Sequence, residues 1–142
     1  MTGMTANPAD NRAKMATLSK LLTTMPADRQ PVPGAVAALA AVAADLSAMI
    51  RHTESTAQLG AVRGSANADG DDQKKLDVLA DEMIANALAD CVGVAAYLSE
   101  ERDDAVTLHD GGDVIVASDP LDGSSNIDTN VSIGTIFSIL PA

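Results

Sequence analysis

VGVAAYLSEERDDAVTLHDGGDVIVASDPLD, residues 92–122, is where the hydrophobic period of this chain changes from helical to extended, and that change decides the fold class. Three apolar, β-rich runs stand out in it, Val92–Leu98, Ala105–His109 and Val114–Ala117, each bounded by acidic or glycine-rich punctuation. Asp110-Gly111-Gly112-Asp113 separates the last two, and an Asp-Gly pair between β-rich runs is a hairpin signal. The spacing therefore predicts that these two strands pair antiparallel. Downstream, Val131–Leu140 is rich in β-branched residues and predicts a fourth strand. Such a strand would leave an apolar edge, so further chain is expected to cover it.

Upstream the period is helical. Lys74 to Cys91 places Leu76, Leu79, Met83, Ala87 and Leu88 on one face. Asp77, Asp81 and Glu82 lie in its first half, where the helix dipole favours acids. Ala35 to about Thr56 predicts another helix, because Val36, Leu39, Ala43, Leu46 and Ile50 recur at alternating spacings of 3 and 4. Residues 10–24 read as a short helix. The three prolines between Pro26 and Gly34 predict a linker, and Gly60, Gly64 and Gly70 predict a loop over 60–72. Helices first and strands afterwards imply an α+β domain, its N-terminal helices packed on a mixed or mainly antiparallel sheet.

The 142 residues are 46% hydrophobic, enough for one core. With no Trp, and with Tyr97 and Phe137 as the only aromatics, aliphatic side chains must fill it. Stacking platforms for bases are missing, and a net charge of −11 repels nucleic acid and acidic membranes alike. Neither is an expected partner. Cys91 stands alone, so no internal disulfide forms, which fits a reducing cytoplasm. Residues 34–44, GAVAALAAVAA, resemble the core of a signal peptide. The stretch before them is too long, acidic and proline-rich for one, and Asp45 is expected to stop the run short of a membrane span.

Acids crowd three places. Asp69, Asp71 and Asp72 precede Asp77; Glu100-Glu101 follows the first predicted strand; Asp119 and Asp122 follow the third. Residues 100–128 hold nine acids against one base, Arg102. A solvated surface is the plainer reading of such runs, and it is weaker for the second and third groups because they end apolar strands. Carboxylate pairs delivered to one rim repel one another unless cations sit between them, and hard oxygen donors suit Mg²⁺ or Mn²⁺. Asp119-Pro120-Leu121-Asp122-Gly123-Ser124-Ser125-Asn126 adds a turn whose glycine admits a close backbone approach. Its Asp, Ser and Asn side chains are good helix caps, and N–H groups freed there would face an anion. Carboxylates beside an anion-binding turn suit phosphate hydrolysis; an ordinary Asp-Gly turn is the plainer alternative. The sequence contains neither G-x-x-x-x-G-K-[ST] nor G-x-G-x-x-G. An EF-hand register from Asn67 fails at Asp72 and Val78. His52 and His109 lack metal-like spacing and are assigned to structure or surface.

DPLDGSSNIDTNVSIGTIFSIL, residues 119–140, resembles the signature of the class I fructose-1,6-bisphosphatases. GDDQKKLDVLADE, residues 70–82, and Leu98-Ser99-Glu100-Glu101 are similar to two further blocks of that family, in the same order. The resemblance runs from about residue 60 to 140, is weaker over 35–56, and is lost before residue 17. It implies a variable or disordered segment over 1–16 and an N-terminal domain of a layered sugar-phosphatase fold over 17–142, with a second domain absent. It further implies Mg²⁺-dependent removal of the 1-phosphate of fructose 1,6-bisphosphate, in a cytoplasmic homotetramer. By the same resemblance Glu100, Asp119, Asp122, the Leu121 carbonyl and Asp71 are metal ligands. Asp77 and Glu101 act on the attacking water, and Asp122, Gly123, Ser124, Ser125 and Asn126 contact the substrate. A sedoheptulose-1,7-bisphosphatase, a related inositol phosphatase and an inactive truncated fragment are the alternative readings.

Overall fold

A computed structural model describes residues 17–60, 66–123 and 132–142. Residues 17–22 are helical, and a 3₁₀ turn at Ala27–Arg29 leads into helix α1, Val32–Gly60. The expected linker is thus shorter than its prolines suggested. Pro33 sits in the first helical turn, where a missing N–H costs nothing because that donor has no intrahelical partner anyway. Helix α2 spans Ala66–Ala89 and takes up most of the loop expected over 60–72, Gly70 included. One glycine costs a helix about 1 kcal/mol, which neighbouring turns outweigh.

Both helices bury one stripe. Ala35, Leu39, Val42 and Leu46 of α1 and Ala80, Ile84 and Leu88 of α2 form the core with Val94, Tyr97, Val114, Val116 and Leu121 of the sheet. By length and composition Val32–Arg51 could cross a membrane, contrary to the expectation that Asp45 stops the run; here its inner stripe packs against α2 and the sheet.

The sheet comprises β1 (Val94–Ser99), β2 (Val106–Thr107), β3 (Val114–Asp122) and β4 (Gly134–Pro141), in the order β2-β1-β3-β4. β1 pairs antiparallel with β2 and parallel with β3, and β3 pairs antiparallel with β4. The sheet is therefore mixed and packs against helices, the α+β arrangement expected.

The hairpin expected between the second and third strands does not form. β2 is two residues long and lies on the far side of β1, and the Asp110–Asp113 turn carries the chain across the start of β1. Leu108 N–H donates to the Ala95 carbonyl at 2.9 Å, and Asp113 N–H to the Gly93 carbonyl at 2.9 Å. Gly112 presses so close that a Cβ there would lie 2.4 Å from the Ala95 nitrogen. The turn forms, closed by Gly112 N–H to the His109 carbonyl at 3.3 Å, but its Asp113 N–H bonds to the residue before β1 and not across to β2.

β4 forms one edge of the sheet, with Ile136 and Leu140 more than half exposed. Val131, the expected start of that strand, lies outside the described residues.

Candidate active site

Parallel pairing of β1 with β3 is what builds the site. Ser99 is in register with Ser118, and the Glu100 N–H donates to the Ser118 carbonyl at 3.1 Å. β1 ends there, so its next residue, Glu100, emerges beside Asp119, which follows Ser118 within β3. A tight turn follows β1, closed by Arg102 N–H to the Ser99 carbonyl at 3.2 Å and by Glu101 N–H to Ser99 Oγ at 3.2 Å.

The end of β3 is bent. Asp119 faces Ile136 and Asp122 faces Gly134, so three steps on β3 match two on β4, a bulge of one residue. Pro120, buried, occupies it without a ladder donor to lose, and its carbonyl accepts from Thr135 Oγ1 at 2.9 Å. Leu121 N–H donates to Asp119 Oδ1 at 3.1 Å, an Asx turn that fixes the Asp119 carboxylate over its own backbone. Gly123 follows with φ of 83°, a left-handed conformation that a side chain would oppose.

The third contribution comes from α2. Asp77 is half-buried with its Oδ1 shielded from solvent, and Asp81, one turn later on the same face, is buried.

These acids feel one another. Asp119 raises the Glu100 carboxyl above its ordinary 4.5, first by its negative charge and then by a hydrogen bond that favours the protonated form; slight burial, Asp122 and Asp77 add to this. Burial at the rim raises Glu101, exposed as that side chain is overall, and the charges of Asp77, Glu100, Asp119 and Asp81 raise it further. A shallow depression of about 340 Å³ opens beside Glu100 and Asp119, walled by Leu98, Ile136 and Phe137. Its rim is acidic and its wall apolar.

The structure thus brings together Glu100, Glu101, Asp119, Asp122 and Asp77 of the sequence-derived set, with Leu121 and Gly123 in the turn between them. Ser124, Ser125 and Asn126 lie outside the described residues, as does the side chain of Asp71, whose backbone is part of α2. Among the described residues no group of three or more His, Cys, Asp or Glu is drawn together tightly enough to hold a metal ion. The donor chemistry still suits a hard cation, because neighbouring carboxylates raise the affinity of Glu100 and Glu101 for positive charge, here a proton. His109 is structural, its Nε2 lying 2.9 Å from the Ala89 carbonyl.

Sequence reasoning missed a polar network behind the rim. Tyr97 Oη donates to Asp81 Oδ1 at 3.1 Å and lies 2.9 Å from Ser118 Oγ, and Arg102 Nε pairs with Asp81 Oδ2. The available signals were the chain's only tyrosine, set in an apolar strand, and the one base among the acids of the rim.

Comparison with known proteins places these features. The sequence profile described as "Fructose-1-6-bisphosphatase, N-terminal domain" matches residues 17–142. A class 1 fructose-1,6-bisphosphatase of Paracoccus denitrificans is 52% identical over 121 residues, covering 84% of this chain and 35% of that protein. One of Rhodopseudomonas palustris is 46% identical over 127 residues, covering 88% and 37%. The crystal structure of Leishmania major fructose-1,6-bisphosphatase in holo form superposes with a TM-score of 0.69 at 28% identity, over 87% of this chain and 37% of that one. The chain spans about a third of the length of the relatives it matches.

Proposed function

This chain belongs to the fructose-1,6-bisphosphatase family, and from that premise we propose that it supplies the cation-binding and 1-phosphate half of a sugar-bisphosphatase site. The reaction is hydrolysis of the 1-phosphate ester of fructose 1,6-bisphosphate. Water forms a new bond to phosphorus, the bond from phosphorus to the C1 oxygen breaks, and fructose 6-phosphate and inorganic phosphate leave. One observation carries the reading: acids from the ends of two parallel strands and from α2 meet at one rim, where Asp119 above all raises Glu100.

Glu100, Asp119, Asp122 and the Leu121 carbonyl would hold Mg²⁺, or Mn²⁺, with Asp71 as a further acidic ligand. When bound, the cation offsets phosphate charge and lowers the pKa of a coordinated water. The remaining work falls to the chain. Glu101, raised toward neutrality by burial and by Asp77, is suited to take the proton of the attacking water, and Asp77 to orient that water. Gly123 lets the backbone approach the 1-phosphate, and Ser124, Ser125 and Asn126 continue that contact.

The test is a graft of residues 17–142 in place of the matching third of a class 1 relative, assayed for Mg²⁺-dependent phosphate release. Release that Glu100→Gln lowers at least about 100-fold supports the reading. A folded graft that turns over equally well with Gln at position 100 contradicts it.

A further inference from the structure

The acids at the rim repel one another, so something must hold them at their spacing. The Arg102–Asp81–Tyr97–Ser118 network lies beside four of the five in sequence, all but Asp122. Ser118 immediately precedes Asp119; Tyr97 lies two residues before Ser99, and Arg102 directly follows Glu101; Asp81 stands one helical turn beyond Asp77. The direction of its bonds follows from proton counting. Asp81, paired with the Arg102 guanidinium, can only accept, so the single Tyr97 hydroxyl proton goes to Asp81 Oδ1. The Tyr97 oxygen then accepts from Ser118, which orders the network from Ser118 through Tyr97 to Asp81, with Arg102 closing it from the other side. Tyr97 is fully buried, Asp81 is 3% exposed and Ser118 9% exposed, so the two bonds of the Tyr97 hydroxyl are shielded from water, whereas Arg102 is half-buried.

Resting on the cation-site reading above, we propose that Tyr97 and Arg102 are positioning residues, which act through Asp81 and Ser118 to hold Glu100, Glu101 and Asp119 in register for a divalent cation. Arg102 ties the turn after β1 to α2, and Tyr97 ties α2 to the end of β3. Neither needs to touch the cation or the substrate.

The experiment uses the 142-residue chain and two readouts. The first is the Mn²⁺ dissociation constant from electron paramagnetic resonance, at a temperature where every variant is folded. Tyr97→Phe is expected to weaken Mn²⁺ about 10-fold or more, as loss of a group behind metal ligands does. Arg102→Lys, which keeps the charge without the planar fork, is expected to fall between wild type and Arg102→Ala. Leu46→Ala, a core truncation in α1 remote from the rim, is expected to leave the constant unchanged. Should Tyr97→Phe not fold, Ser118→Ala breaks the same chain of bonds one link earlier. The second readout needs no metal: amide hydrogen exchange at Glu100, Glu101 and Arg102 is expected to quicken in Tyr97→Phe while Val116 keeps its protection. Wild type that binds no Mn²⁺ refutes the cation reading, and exchange then decides the positioning role by itself. Wild type that binds Mn²⁺ no better than Tyr97→Phe overturns the positioning role and leaves the cation reading standing. Equal weakening by Leu46→Ala overturns it as well, since general loosening would then be sufficient.

Discussion

Replacing Gly112 by alanine tests the crossover that brings Glu100 and Asp119 together. A Cβ at position 112 would lie 2.4 Å from the Ala95 nitrogen, 2.7 Å from its Cα and 2.8 Å from the Val94 carbonyl carbon. All three are backbone atoms of β1, so no rotamer change relieves the overlap, and either the turn or the strand must move. Overpacking of this kind costs roughly 1–3 kcal/mol, and the upper end applies where rigid atoms are struck. Gly111 provides the internal comparison. Its φ is 78°, but nothing lies within 4 Å of its Cβ position, so Gly111→Ala bears only the left-handed penalty of about 1–2 kcal/mol. Gly134→Ala has open space and no such φ, and is expected within about 0.5 kcal/mol of wild type. Urea unfolding followed by circular dichroism gives the three values, with equal slopes showing that the unfolded states are comparable. The expected order of loss is 112, then 111, then 134. A Gly112→Ala chain as stable as wild type, or one that loses less than Gly111→Ala, would refute the packing of this turn on β1. The parallel β1–β3 pairing would then be in doubt too.

Other expectations follow from the same coordinates. Ile84→Ala, fully buried between α2 and the sheet, should cost about 2–5 kcal/mol in urea unfolding, whereas Ile136→Ala, 58% exposed on β4, should stay within about 0.5 kcal/mol; similar losses at the two sites would misplace the core. In EDTA, the raised Glu100 means that the folded chain binds more protons than the unfolded one above the ordinary value of 4.5, so this group's contribution to stability falls as pH rises through that window. Glu100→Gln should therefore match wild type at acid pH and exceed it near neutrality, as read from urea midpoints across the range; parallel curves for the two proteins would show that the rim acids do not interact.

Much of this was legible in the residues, and the failures have physical reasons. The two long helices and the strand-rich second half followed from periodicity, because burial of one face imposes it. Within the stripes Leu39, Leu46 and Leu88 are buried as expected, but Ala35 and Val42 are buried where Val36 and Ala43 were expected, and Ala80 and Ile84 join the seam of α2. Alanine-rich helices carry a weak signal of this kind, since Ala fits either face. The pairing of the strands was illegible for another reason. Asp-Gly-Gly-Asp identifies a turn but not which strands pair across it, and β1 lies between β2 and β3 and pairs with both. The rim acids were found because like charges after two apolar runs are conspicuous. Asp81 was not, because a buried acid on a helix looks like any surface acid until its partners, 16 and 21 residues away, are in place.

The most direct measurement is a calorimetric titration of the 142-residue chain with Mg²⁺, beside Glu100→Gln. The account predicts saturable binding by the wild type, weakened at least about 10-fold in the variant. Binding that is absent from the folded wild type, or equal in the two proteins, would contradict the claim that these carboxylates form a cation site.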